Sequence, residues 1–203
     1  MALGDSITDG AYTTWNGNDR WTDDLAARLQ ALPASRQFGV LNEGIGGNQV
    51  LTDRSDCCGS GTSVSGLKRE RADVLLQTRA RYLILADGIN DIGYNADSGA
   101  LIAGLTTIVD RAHKAGIKVV GATITPYGCD SGCFSSAQEA TRQEVNAWVR
   151  TSRAFDGVAD FDAAIRDPQN PSRVLPAYQA DHLHPNVAGQ QAMADSINLN
   201  LFH

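Results

Sequence analysis

Short apolar runs alternate with segments of helical periodicity along this chain, and that alternation leaves few folds open. Tyr82-Leu83-Ile84-Leu85-Ala86 and the run 117–123 are compact, largely apolar stretches. Between them Leu101, Leu105, Ile108, Val109 and Ala112 recur at the spacing of one helix face, and Gly116 stops that helix. A strand buried on both faces reads as a continuous apolar run, and two such strands joined through a helix run parallel. The pattern recurs. Strands are also expected at 1–3, 38–42 and 157–161. Helices are expected at 21–32, closed by Pro33, and at 67–78, 137–151 and 187–201, the last with Pro185 near its start. Five parallel strands with right-handed crossovers make an α/β fold, a three-layer α/β/α sandwich. The 203 residues contain no internal repeat, low-complexity tract or linker, so residues 1–203 are expected to form a single domain.

The polar clusters sit where this fold puts chemistry. In an open parallel sheet, sites form outside the carboxyl ends of the strands. Gly4-Asp5-Ser6-Ile7-Thr8 follows the first strand, Gly44-Ile45-Gly46-Gly47-Asn48 the second, and Asp87-Gly88-Ile89-Asn90-Asp91 the third; Asp181-His182-Leu183-His184-Pro185 precedes the final helix. Acyl transfer needs a hydroxyl, a base of near-neutral pKa, a carboxylate to orient that base, and fixed N–H donors for a developing oxyanion. Ser6, His184, Asp181, Asn90 and a turn glycine meet those needs. Each has a plainer role as well. Ser6 can cap a helix, Asn90 can cap its own turn, the glycines can serve backbone conformation, and Asp181 can sit at a helix N-terminus. His182 competes with His184 as base. His113, late in a helix, and the terminal His203 stand apart from the clusters.

The four blocks, taken together and in order, resemble those of the GDSL, or SGNH, hydrolase family. Gly4-Asp5-Ser6-Ile7-Thr8 resembles the nucleophile block, and Asn42-Glu43-Gly44-Ile45-Gly46-Gly47 the second block. Gly88-Ile89-Asn90-Asp91 resembles the Gly-x-Asn-Asp block, and Asp181 to Pro185 the Asp-x-x-His-Pro block. The resemblance implies a flavodoxin-like α/β/α sandwich with a five-stranded parallel sheet, and a Ser6–His184–Asp181 triad that leaves His182 outside. It also implies an oxyanion hole made by the Ser6 and Gly47 amides and the Asn90 side chain. The reaction implied is two-step ester hydrolysis through an acyl-enzyme, with no metal and no organic cofactor. Asp87 departs from the pattern, since a small or apolar residue is more usual there, and the cysteine loops are not landmarks of the family. Arg20-Trp21, the run 87–92 and the run 145–150 are most similar to secreted microbial GDSL esterases.

Charge and cysteine usage narrow the setting. Net charge is −6 with no Lys/Arg run, which argues against a nucleic-acid partner, and no apolar stretch is long enough to span a membrane. Cys57 and Cys58 lie in one Gly/Ser-rich loop, Cys129 and Cys133 in another. An even number in such loops favours disulfides and an oxidising compartment. Links between the loops, or Cys129–Cys133, suit better than a bridge between neighbours; free thiols are an alternative, and a zinc site is disfavoured because the paired C-x2-C spacing is lacking. The chain opens inside its first strand, so upstream residues, a secretory leader among them, are expected. The loops around the expected cleft carry Tyr12, Trp15, Asn16, Asn48, Asp87 and Tyr127, and Trp15, Asn48, Asp87 and Tyr127 are the expected substrate contacts. This mixture suits a short-chain, polar ester, acetyl above all and on a carbohydrate as one reading. No long apolar insertion provides a lid for long-chain lipids. A lysophospholipase or thioesterase would use the same machinery, and a non-catalytic carbohydrate-binding module is the alternative of another class.

Overall fold

Parallel strands β1 (Ala2–Gly4), β2 (Asn42–Gly44), β3 (Tyr82–Ala86), β4 (Lys118–Ala122) and β5 (Gly157–Ala159) form one sheet in a computed structural model that describes residues 1–54 and 63–203. The order is β2-β1-β3-β4-β5, every neighbouring pair parallel. The helices are α1 (Ser6–Asp9), α2 (Trp21–Gln30), α3 (Gly66–Glu70), α4 (Ile89–Gly93), α5 (Ser98–Lys114), α6 (Ser136–Thr151), α7 (Phe161–Ile165) and α8 (Val187–Ser196). Helix α5 packs with α3 and α6, while α8 packs with α2 and α7. Right-handed crossovers put these two groups on opposite faces of the sheet, completing three layers.

The central strands are buried on both sides. Leu3, Leu83, Val119 and Val120 are essentially solvent-free, which is why β3 and β4 show no polar alternation. Burying each such side chain contributes about 1.5–3 kcal/mol. Trp21 opens α2 and meets the Phe161 ring edge-on at 5.2 Å, joining α2 to α7 beneath the sheet. From β1 the chain steps outward to β2, then crosses back to β3 on the other side of β1. That reversal opens a crevice at the carboxyl ends of β1 and β3, where ligands bind in sheets of this order.

The expected elements do not include the short helices α1, α4 and α7, and four that are expected run differently. The second strand is not 38–42 but Asn42–Gly44, because the ladder runs only where β1 offers a backbone: Ala2 pairs with Asn42, and the Ala2 N–H reaches the Leu41 carbonyl at 2.9 Å. Phe38 lies against Tyr82 instead, their ring centroids 5.5 Å apart. The expected helix 67–78 is α3 followed by a wider π-helical turn, Arg71–Leu75. Arg69 and Val74, five residues apart, are both buried, as an i→i+5 turn allows. Strand β5 ends at Ala159, because Asp160 caps α7 by accepting the Ala163 N–H at 3.1 Å. The last helix ends at Ser196, where Ile197 turns to extended backbone; a 3-10 turn, Leu199–Leu201, then carries Phe202 onto Tyr82.

Candidate active site

The first strand hands over to the candidate nucleophile in two residues. Asp5 caps α1 through its carboxylate, which accepts the Ile7 N–H at 2.9 Å, so Ser6 is the first residue of the helix. Its N–H therefore has no intrahelical partner. The side chain is half-buried, with Oγ 2.9 Å from Nε2 of His184. Gly44 makes this arrangement possible from the neighbouring strand: a Cβ there would overlap the backbone of Thr8 and Asp9.

Histidine and carboxylate come from the turn before α8. Nδ1 of His184 is 2.8 Å from Oδ2 of Asp181, and the other Asp181 oxygen accepts the backbone N–H of His184 at 2.7 Å and of Leu183 at 3.2 Å. Partial burial opposes the Asp181 charge, but these donors and the adjacent imidazole outweigh it and hold the carboxyl below its ordinary range. His182 sits between them in left-handed backbone, φ 72°, which turns its ring outward to Oε1 of Gln179 at 2.9 Å. Only one of the two histidines thus faces Ser6. Helix α8 is tied to α1 by buried Gln190, whose side chain donates to the Ile7 carbonyl at 3.1 Å and accepts the Trp21 N–H at 2.9 Å.

The donors meet at the crevice between β1 and β3. The Ile45 N–H reaches the Gly4 carbonyl at 3.1 Å, and a turn closes with the Asn48 N–H on the Ile45 carbonyl at 3.0 Å. Gly47 takes φ 69° within it, a left-handed value that glycine adopts without strain. Among the described residues the Ser6 and Gly47 N–H groups have no protein acceptor. Asn90, in the first turn of α4, donates from Nδ2 to the Asn48 carbonyl at 2.9 Å, which fixes its amide beside the Gly47 turn and leaves its second N–H for a ligand.

Beneath the turn lies a buried charged layer. The Arg69 guanidinium donates to Asn48 Oδ1 at 2.9 Å, to the Glu43 carbonyl at 2.8 Å, to the Gly4 carbonyl at 2.8 Å and to Asp73 at 2.9 Å. Asp91 accepts the Val50 N–H at 2.8 Å and the Leu51 N–H at 3.0 Å; burial nonetheless raises its carboxyl to about 6. Burial pushes Asp87 well above the ordinary carboxyl range, and the Asp5 and Asp91 charges add to that push against the opposing Arg69. Burial likewise drives Asp5 upward.

The expected substrate contacts fare differently. Asp87 is only 5% exposed, with Oδ1 accepting the Gly88 N–H at 2.8 Å and, among the described residues, Oδ2 buried without a hydrogen-bond partner, so it does not face the cleft. Asn48 is fully buried, its side chain spent on Ser63, Val64 and Arg69. Asp87 directly follows β3 and Asn48 closes the turn after β2, and chain position alone does not say which way either points. Tyr127 packs edge-on against Phe134 at 4.9 Å and turns its hydroxyl to the Gly132 carbonyl. Trp15 is 91% exposed in the loop after α1. His113 pairs with Asp156 at 2.8 Å and His203 lies beside Lys118, both at the amino-terminal side of the sheet. Cys129 bonds Cys133, which excludes links from these two to the other cysteine loop; Cys57 and Cys58 lie outside the described residues. Arg69 and Gln190 are structural parts of the site that the sequence reading did not single out. A charged residue inside a helical stretch reads as solvated surface, and nothing in its spacing signals burial.

Comparisons with known proteins bear on the family and on the fold. A family model described as GDSL-like Lipase/Acylhydrolase family matches residues 2–192. Among solved structures, the M. smegmatis aryl esterase superposes with a TM-score of 0.72 at 18% identity, covering 96% of this chain and 94% of that one. A member of the lipolytic protein G-D-S-L family from Veillonella parvula superposes with a TM-score of 0.66 at 20% identity, covering 96% and 93%. The psychrotrophic esterase EstA from Pseudoalteromonas sp. gives a TM-score of 0.67 at 18% identity, covering 96% and 91%. No curated protein sequence matches the chain.

Proposed function

The chain belongs to the GDSL-like lipase/acylhydrolase family, and on that premise we propose that it is a serine esterase that hydrolyses short-chain acyl esters, acetyl esters foremost, through an acyl-enzyme on Ser6. The observation that carries this reading is the continuous relay from Ser6 Oγ to His184 Nε2 at 2.9 Å and from His184 Nδ1 to Asp181 at 2.8 Å. His184 takes the Ser6 proton as Oγ attacks the ester carbonyl. Asp181 holds the imidazole in the required tautomer and offsets its charge. The Ser6 and Gly47 N–H groups and the Asn90 amide receive the oxyanion, each such donor worth about 10²–10³ in rate. Collapse expels the alcohol, which takes its proton from His184. The freed imidazole then activates water to release the acid.

A small acyl group and a polar alcohol suit the rim. Trp15 offers a flat exposed ring, and the adjoining loop is rich in asparagine and threonine, a surface suited to a sugar alcohol as leaving group. The Cys129–Cys133 disulfide favours work in an oxidising, extracellular compartment. The test is a panel of p-nitrophenyl esters from acetyl to dodecanoyl, alongside acetylated xylan. Highest kcat/KM on acetyl or butanoyl is expected; a maximum at dodecanoyl contradicts the short-chain assignment.

A further inference from the structure

Tyr12 is a polar aromatic with 61% of its surface exposed, yet its backbone is held in the left-handed region at φ 63°. A bulky residue keeps such a conformation only where its surroundings impose it, and such residues cluster at active sites. The constraints here come from the nucleophile's own helix. The Gly10 and Ala11 N–H groups both donate to the Ser6 carbonyl, at 3.0 and 2.9 Å. The Thr13 N–H and hydroxyl then both close on the Gly10 carbonyl, at 3.1 and 2.6 Å. Arg20 Nε pins the same loop by donating to the Asp9 carbonyl at 2.7 Å. Tyr12 is thus fixed relative to Ser6, and it is aimed at the other half of the relay. Its ring lies 5.3 Å from that of His184 with the planes 36° apart, within the range of favourable aromatic contact. The Asp181 charge nearby raises its phenol above the ordinary range.

We infer that Tyr12 is a positioning residue for the esterase reaction, its ring holding the His184 ring in register with Ser6. This rests on the proposed triad. The groups facing His184 are Ser6 from α1, Asp181 from its own turn and Tyr12 from the loop. Ser6 and Asp181 bond the two ring nitrogens, both in the ring plane, and leave rotation out of that plane to be checked; the Tyr12 ring checks it. The ring, and not the hydroxyl, carries this restraint.

Two variants separate these parts, and Tyr12 is exposed enough for both to fold. Tyr12→Ala on p-nitrophenyl acetate lowers kcat about tenfold with KM within about twofold, as expected when a catalytic group drifts from its line. Tyr12→Phe keeps the ring, and kcat is expected to stay within about threefold of wild type. Wild-type kcat in Tyr12→Ala overturns the inference. So does a loss confined to KM, which makes Tyr12 a substrate contact, and so does a loss of kcat in Tyr12→Phe as large as that in Tyr12→Ala. The ring-current shift of the His184 protons, kept in Tyr12→Phe and lost in Tyr12→Ala, needs no turnover, so it reports on Tyr12 even if Ser6→Ala retains hydrolysis and the esterase reading itself falls.

Discussion

The distinction between two histidines two residues apart decides the chemistry at the residue scale. Left-handed backbone at His182 sends its ring to Gln179, while His184 bridges Ser6 and Asp181. His184→Ala is expected to cut kcat on p-nitrophenyl acetate about 10⁴-fold or more, and His182→Ala by less than about threefold; the reverse ranking in steady-state assays would reassign the base. Asn90→Ala is expected to cost about 10²–10³ in kcat with little change in KM, because an oxyanion donor acts mainly in the transition state. Asp87 makes a stability prediction instead. Below about pH 4 its carboxyl is protonated in both folded and unfolded chains. Above that pH the unfolded chain releases the proton and the buried group, facing Asp5, Asp91 and Arg69, holds it, so stability falls as pH rises. Asp87→Asn keeps the side chain's shape and removes its charge. Thermal melts should show a flatter decline from pH 4 to neutrality and a higher Tm at pH 7; a lower Tm at pH 7 contradicts the buried-acid account. The placement of Ser6, Asn90, Asp181 and His184 was readable because each lies in a short local motif at a strand end or helix start. The burial of Asp87 and Asn48 was not, since one residue's turn decides whether a loop side chain faces solvent or floor.

At the scale of elements, the site depends on how the ends of β1 and β2 are joined. Arg69 in α3 fastens both, through the Gly4 and Glu43 carbonyls, and holds the Gly47 turn through Asn48. Arg69→Ala strands these buried acceptors, and the expected loss is about 3–5 kcal/mol in urea unfolding. A loss below about 1 kcal/mol would mean that the turn is held by other contacts. Strands β3 and β4 and helices α5 and α6 were readable from periodicity, because long elements average over many residues. Strand β2 was misplaced because it is three residues long and its polar sequence, Asn42-Glu43-Gly44, carries no alternation; pairing with β1 makes it a strand. The π-helical turn after α3 left no mark in the pattern, since a buried arginine breaks the apolar count.

The whole molecule contributes topology. The order β2-β1-β3-β4-β5 places its reversal between β1 and β3, and residues 6, 47, 90, 181 and 184, remote in sequence, meet at that crevice. The disulfide is peripheral to this plan. It closes a loop with a sequence separation of 4, for which chain entropy allows at most about 2 kcal/mol. Replacing Cys129 and Cys133 by serine should lower Tm by no more than about 8 °C and leave kcat on p-nitrophenyl acetate unchanged; loss of activity would tie that loop to the site. Fold class was readable at this scale because alternation of elements persists along the chain, whereas the disposition of rim loops depends on contacts distant in sequence. Covalent labelling tests the central claim most directly. A fluorophosphonate incubated with the folded protein should form one adduct, mapped by peptide mass spectrometry to Ser6, in step with loss of ester hydrolysis; neither label nor hydrolysis should survive in Ser6→Ala. An adduct on another residue, or Ser6→Ala turning over ester at the wild-type rate, would contradict it.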